Sequence, residues 1–114
     1  MVSTRQRGNI RENRLARMLE GRRYWCFVSR GSRGIDLIGI PDVGPILCFE
    51  VGGSSKSVMG SFDELRKAKR PLGSHCLVAR WLKPRGSLGH FRFHADEDYW
   101  FDDLDEALDF LKER

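Results

Sequence analysis

Three carboxylates occupy positions where an acid is hard to explain as surface decoration: Glu12, Asp36 and Glu50. On a wheel of about 100° per residue, Glu12 falls inside the apolar stripe of Leu15, Ala16 and Leu19, while Arg14 and Arg17 point the other way. A carboxylate directed at a core needs a cation or donors waiting for it. A structural pair with a neighbouring arginine is the simpler account of Glu12, and a place in a site is the other. Asp36 alternates with Ile38 and Ile40, and Glu50 with Ile46 and Cys48. Side chains two apart on a strand share a face. If the turn at 41–45 pairs Ile40 with Ile46, Asp36 stands opposite Glu50 on one face. Cross-strand Cβ atoms lie roughly 5 Å apart, and like charges there weaken the sheet. A divalent cation between them is the simple remedy. An oxygen-only ligand set suits Mg2+ or Mn2+, with water filling the shell and the Val51 carbonyl as a third protein ligand. A one-residue slip would part the two acids, and arginines from the 30–33 loop could neutralise them instead.

The elements that position these groups follow from periodicity and breakers. A helix is expected from about Asn9 to Glu20, stopped by Gly21, after a loose basic arm over residues 1–7. Strands are expected at Tyr24–Ser29, Ile35–Ile40, Ile46–Val51, His75–Trp81 and His90–His94. Gly52–Ser55 reads as a flexible loop. A second helix should start at Ser61, where Ser61 and Glu64 form a capping box, and stop at Pro71 and Gly73. A last helix spans about Asp103–Glu113, with Leu104, Leu108 and Leu111 on one stripe. The order α-β-β-β-α-β-β-α implies a single α/β domain, a mixed sheet with helices packed on it.

The charge distribution points to a polyanion. Residues 1–33 hold nine arginines against Glu12 and Glu20, whereas residues 95–114 hold nine acids against Lys112 and Arg114. Guanidinium forks match phosphate oxygens. No apolar run approaches the ~20 residues of a membrane span, and the first residues lack the apolar stretch of a signal peptide. Cys26, Cys48 and Cys76 form no CxxC pair, which argues against a disulfide framework or zinc site and fits the cytoplasm. His75, His90 and His94 lack zinc spacing to any cysteine. Gly31-x-x-Gly34 is followed by no lysine–serine pair, so a nucleotide-binding loop is not expected.

Together, Arg11-Glu12-x-x-Leu15-Ala16-Arg17, Ser29-Arg30-Gly31-Ser32-Arg33-Gly34-Ile35-Asp36-Leu37-Ile38 and Phe49-Glu50-Val51 resemble the archaeal and phage Holliday junction resolvases of the PD-(D/E)XK nuclease superfamily. The resemblance covers about residues 8–94. It implies a restriction-endonuclease-like fold in which Asp36 and Glu50 bind the catalytic metal, Glu12 sits near it and Ser32 lies beside the scissile phosphate. It also implies a homodimer that cuts two strands symmetrically across a four-way junction, leaving 5′-phosphate and 3′-hydroxyl ends, in recombination and repair. Arg5, Arg7, Arg11, Arg30 and Arg33 are then expected to hold the DNA backbones. Such contacts position DNA without reading sequence, and they weaken with salt. The expected compartment is the cytoplasm, or the host's for a phage protein.

The pattern breaks at Glu50-Val51-Gly52, where the family has lysine in place of the glycine. That lysine polarises the attacking water or stabilises charge on the phosphate. Lys56, on the following loop, is the favoured substitute. Lys69 is another, and the metal alone a third. A junction-binding protein with weak or no cutting and a restriction-type nuclease are the competing functions.

Overall fold

The computed structural model describes residues 4–29 and 34–113, with side chains from residue 10 onward. Helix α1 spans Thr4–Glu20, and strands β1, β2 and β3 span Tyr24–Val28, Leu37–Pro41 and Leu47–Gly53. Helix α2 spans Val58–Lys67, followed by β4 at His75–Leu82, β5 at His90–His94, β6 at Trp100–Phe101 and α3 at Leu104–Lys112. The six strands lie side by side in chain order. All neighbours pair antiparallel except β3 and β4, which run parallel. A parallel neighbour needs a crossover, and α2 supplies it. The described residues therefore form a mixed α/β fold: three helices on a six-stranded mixed sheet.

The alternation that suggested strands also divides the core. Leu37, Leu47, Phe49, Val51, Leu77, Ala79, Phe91 and Phe93 face one side, where Leu15, Ala16 and Leu19 of α1 and Leu104, Ala107, Leu108 and Leu111 of α3 cover them. Cys48 and Val78 face the other side, where α2 packs through Phe62 and Leu65. Burying a leucine or phenylalanine contributes about 1.5–3 kcal/mol each, so the first face holds most of the stability. On α2's side the cover stops short of β1, leaving Trp25 and Phe27 exposed at 68% and 55%. Their cross-strand neighbours there are Ile40 and Ile38.

Several expectations need correction. Helix α1 begins at Thr4, so positions 4–7, expected in a loose arm, are helical. Strand β3 runs on through Gly52 and Gly53, which were expected to begin a flexible loop. Helix α2 starts four residues before the expected capping box: Ser57 is its N-cap, its side chain accepting from the Gly60 N–H at 3.1 Å. Ser61 is instead buried inside the helix. The two-residue β6 was not anticipated, and at α3 Asp103 caps the first turn. All three cysteines are free. Among the described residues no helix is long and apolar enough to cross a membrane.

Candidate functional site

Strands β2 and β3 pair Leu37 with Phe49, Ile38 with Cys48 and Gly39 with Leu47. This is the register expected from the sequence, and its last paired rung, Leu37 with Phe49, lies one residue short of Asp36 and Glu50. Both acids line one cleft of about 190 Å³ with Gly34, Lys56, Ser57, Gly60, Ser61 and Glu64, at the N-terminal end of α2. Two larger depressions, about 400 and 580 Å³, lie around Arg23, Tyr24 and Asp42. Their ion pairs, Arg22 with Asp105 and Arg23 with Asp42, join half-exposed or exposed side chains, whereas Glu50 in the smaller cleft is buried.

Asp36 is half-buried where β2 leaves the ladder. Its backbone N–H donates to the Phe49 carbonyl at 2.8 Å, and its Oδ2 accepts the Val51 N–H at 2.8 Å. The side chain thus satisfies a strand donor that β2 no longer reaches. Burial pushes the Asp36 carboxyl above the usual aspartate range. The Val51 hydrogen bond opposes that, the Glu50 charge adds to it, and Lys56 and Arg80 oppose it.

Glu50 is more deeply buried, its side chain 4% exposed. Arg80, its side chain 2% exposed, donates from Nη2 to Glu50 Oε2 at 3.0 Å. Lys56 Nζ donates to Oε1 at 2.7 Å. Burial alone would raise this carboxyl, but the hydrogen bonds from Lys56 and Ser61 and the charge of Arg80 together hold it below the usual glutamate range. The two carboxyls are thereby driven in opposite directions, the arrangement by which paired acids take different roles.

Arg80 was missed from sequence, although a charged residue inside the apolar run His75–Leu82 was the signal. It sits opposite Gly52 in the parallel ladder. Its guanidinium also donates to Ser61 Oγ, to the Ser57 carbonyl at 3.1 Å, to the Lys56 carbonyl at 3.3 Å and to the Ala79 carbonyl at 3.3 Å. It thus ties the start of α2 to β3 and β4.

Gly52 decides where Lys56 lies. A Cβ on Gly52 would stand 3.2 Å from Lys56 Cδ, 3.1 Å from Arg80 Nη1 and 3.5 Å from Glu50 Oε1. The stem of Lys56 therefore crosses the space that a side chain at position 52 would need. Gly34 is fixed by a different constraint: its φ is +93°, and a Cβ would meet the Glu64 carbonyl oxygen at 2.9 Å. A left-handed glycine is what lets the segment entering β2 lie against α2.

The other expected residues are placed less closely. Glu12 is half-buried and interacts with a neighbouring group. It is not among the residues lining the cleft, and among the described residues no three His, Cys, Asp or Glu side chains gather as a ligand cluster. Val51 presents its N–H to Asp36. Arg11 reaches the end of β3 from the α1 side, its Nη1 lying 3.2 Å from where a Gly53 Cβ would be. Next to it Arg14 stacks on Trp81 at 4.7 Å. Lys69 is exposed beyond the end of α2 and does not line the cleft. The side chains of Arg5 and Arg7, and Arg30, Ser32 and Arg33 entirely, lie outside the described residues. No known family model matches this chain, and no curated protein sequence matches it.

Proposed function

We propose that this chain is a metal-dependent endonuclease of branched DNA, with a restriction-endonuclease-like fold, acting as a homodimer on four-way junctions in the cytoplasm of a cell or a phage host. The observation that carries the reading is the cleft in which Asp36 and Glu50 meet, with Lys56 laid across Gly52. Two acids sharing a cleft, with oxygen-only donors, fit a hard divalent cation such as Mg2+ or Mn2+. Asp36 and Glu50 would hold it. The Val51 carbonyl lies on the same strand edge as its N–H, because both groups of a strand residue point to one neighbour. Bound there, such an ion lowers the pKa of a water and offsets phosphate charge.

The chain's own residues supply the rest. Arg80 fixes the Glu50 carboxylate in one orientation, and Lys56 brings an ammonium to the place where charge builds on the scissile phosphate. Arg11, beside the end of β3, holds a flanking phosphate with the arginines before it in the chain. The exposed face around Trp25 and Phe27 supports a second copy as partner: aromatic side chains bury roughly 150–250 Å² each, so the pair supplies an apolar centre for a symmetric contact.

One observation favours a second reading within the same fold. Both Glu50 oxygens are already held by cations, which suits a junction-binding protein with weakened cutting. Incubation of the protein with a synthetic four-way junction or linear duplex, in Mg2+ and in Mn2+, separates these. Junction cutting with the duplex spared is the expected result. Tight junction binding without cutting in either ion selects the second reading. Sequence-dependent cutting of duplex selects a restriction-type nuclease, and no DNA affinity at low salt removes all three.

A further inference from the structure

Glu50 is gripped by two cations that differ in how firmly they are held. Arg80 is almost fully buried and spends its donors on Ser61, on three backbone carbonyls and on Glu50 Oε2. It cannot leave without stranding several polar groups. Lys56 is different. Its side chain is 58% exposed, it stems from the turn after β3, and its stem passes close over Gly52 on the way to Oε1. Ammonium groups on flexible stems exchange partners readily, and half-exposed ion pairs are weak.

From this asymmetry we infer that Lys56 is a tethered competitor for the metal: its ammonium sits on Glu50 Oε1 and yields it when a divalent ion binds. The inference rests on the nuclease reading of that cleft and adds a control on it. With Lys56 in place both oxygens of Glu50 are held by cations, Lys56 on Oε1 and Arg80 on Oε2, so neither is open to an ion before metal arrives. Once Lys56 is displaced, the cleft keeps its carboxylates for the ion, and the released ammonium is free to meet the phosphate of bound DNA. Metal and DNA then favour each other, because the phosphate gives the displaced lysine a new partner.

Mass action sets the sign of the test. An internal competitor lowers apparent affinity by the fraction of molecules whose ligand oxygen is free. Removing it must therefore tighten metal binding, whereas removing a ligand or a structural support must weaken it. Mn2+ binding to the full chain is measured by calorimetry and by Mn2+ electron paramagnetic resonance for wild type, Lys56→Met and Asp36→Asn. Junction cutting is followed in parallel, and circular dichroism verifies that each variant is folded. Lys56→Met is expected to bind Mn2+ on the order of tenfold more tightly than wild type while cutting more slowly, and Asp36→Asn is expected to bind more weakly. Equal or weaker binding by Lys56→Met overturns the inference. In that case the nuclease reading still stands if wild type cuts junctions and Asp36→Asn does not. If wild type neither binds Mn2+ nor cuts, both fall together.

Discussion

Arg80 and Glu50 form an ion pair that water scarcely reaches, Nη2 to Oε2 at 3.0 Å with side chains 2% and 4% exposed. Removing one partner of such a pair leaves a bare charge in the interior, at a cost of about 3–5 kcal/mol, while replacing both with apolar groups is often close to neutral. Arg80→Met should lower the urea midpoint by a corresponding amount, and Glu50→Met together with Arg80→Met should recover much of it. Equal midpoints for the single and double variants would show that the pair is not what holds β3, β4 and α2 together.

Asp36 has two tasks that substitution can separate. Its Oδ2 accepts the Val51 N–H, so Asp36→Ala leaves a strand donor unmet, a penalty of about 1–3 kcal/mol. Asp36→Asn keeps an acceptor and removes only the charge. Junction cutting should vanish in both variants with DNA affinity retained, and only the alanine variant should lose thermal stability. Normal cutting by the asparagine variant would disprove the metal role.

The opposite shifts of the two acids give stability curves of opposite sign. Asp36, raised above the ordinary aspartate value, is protonated more readily in the folded chain. It therefore costs stability above about pH 3.9, and the cost fades as pH falls through its raised value. Glu50, lowered in the fold, stabilises fully above about pH 4.3 and loses that contribution as pH falls through its lowered value. Asp36→Asn should exceed wild type in unfolding free energy at neutral pH, with the gain disappearing in acid. Glu50→Gln should fall short at neutral pH and converge on wild type at the acid end. Denaturant titrations between pH 3 and 7 should then show two difference curves of opposite sign.

Lys56 and position 52 compete for one volume, which makes their lysines exchangeable. Lys56→Ala should slow junction cutting by roughly two to three decades, the usual effect of losing a preorganised charge at a reacting centre. Gly52→Lys in that background should restore most of the rate, since its stem starts where Lys56 now passes and only Arg80 must give by a few tenths of an ångström. A double variant as slow as Lys56→Ala would separate the two positions.

Trp25 and Phe27 test the assembly. A stable symmetric dimer buries about 800 Å² per partner, and a charge in the middle of an apolar contact breaks it. Wild type should sediment as a dimer at micromolar concentration, and Phe27→Glu as a monomer that still folds, because its side chain contributes little to either core. A monomeric wild type would rule out this face as a contact between copies.

The β2–β3 register could be read in advance because its apolar residues favour one pairing: a slip by one would put Ile38 on the face opposite Cys48 and Leu37 on the face opposite Phe49. Lys56 was named because a residue on the loop after β3 can reach back, and its ammonium does lie on Glu50 Oε1. Arg80 was not found because strand periodicity treats it as one odd residue in an apolar run, and what makes it tolerable lies 30 residues away in Glu50. The start of α2 was misplaced because Ser61 and Glu64 have capping spacing. Ser57, followed by Val58 and Met59, offers the better start, since it frees Ser61 to meet Arg80. Neither preference is visible without the tertiary contact.

The sequential strand order has a consequence for how the chain assembles. Asp36 and Glu50 meet through a short hairpin, a local event on the microsecond scale. Arg80 arrives only after α2 has closed the parallel crossover, the most distant pairing in the sheet and the slowest kind to form. For that interval the nascent hairpin carries two adjoining negative groups and no fixed counter-charge. Dissolved divalent ions, by screening that repulsion, should speed refolding of this chain.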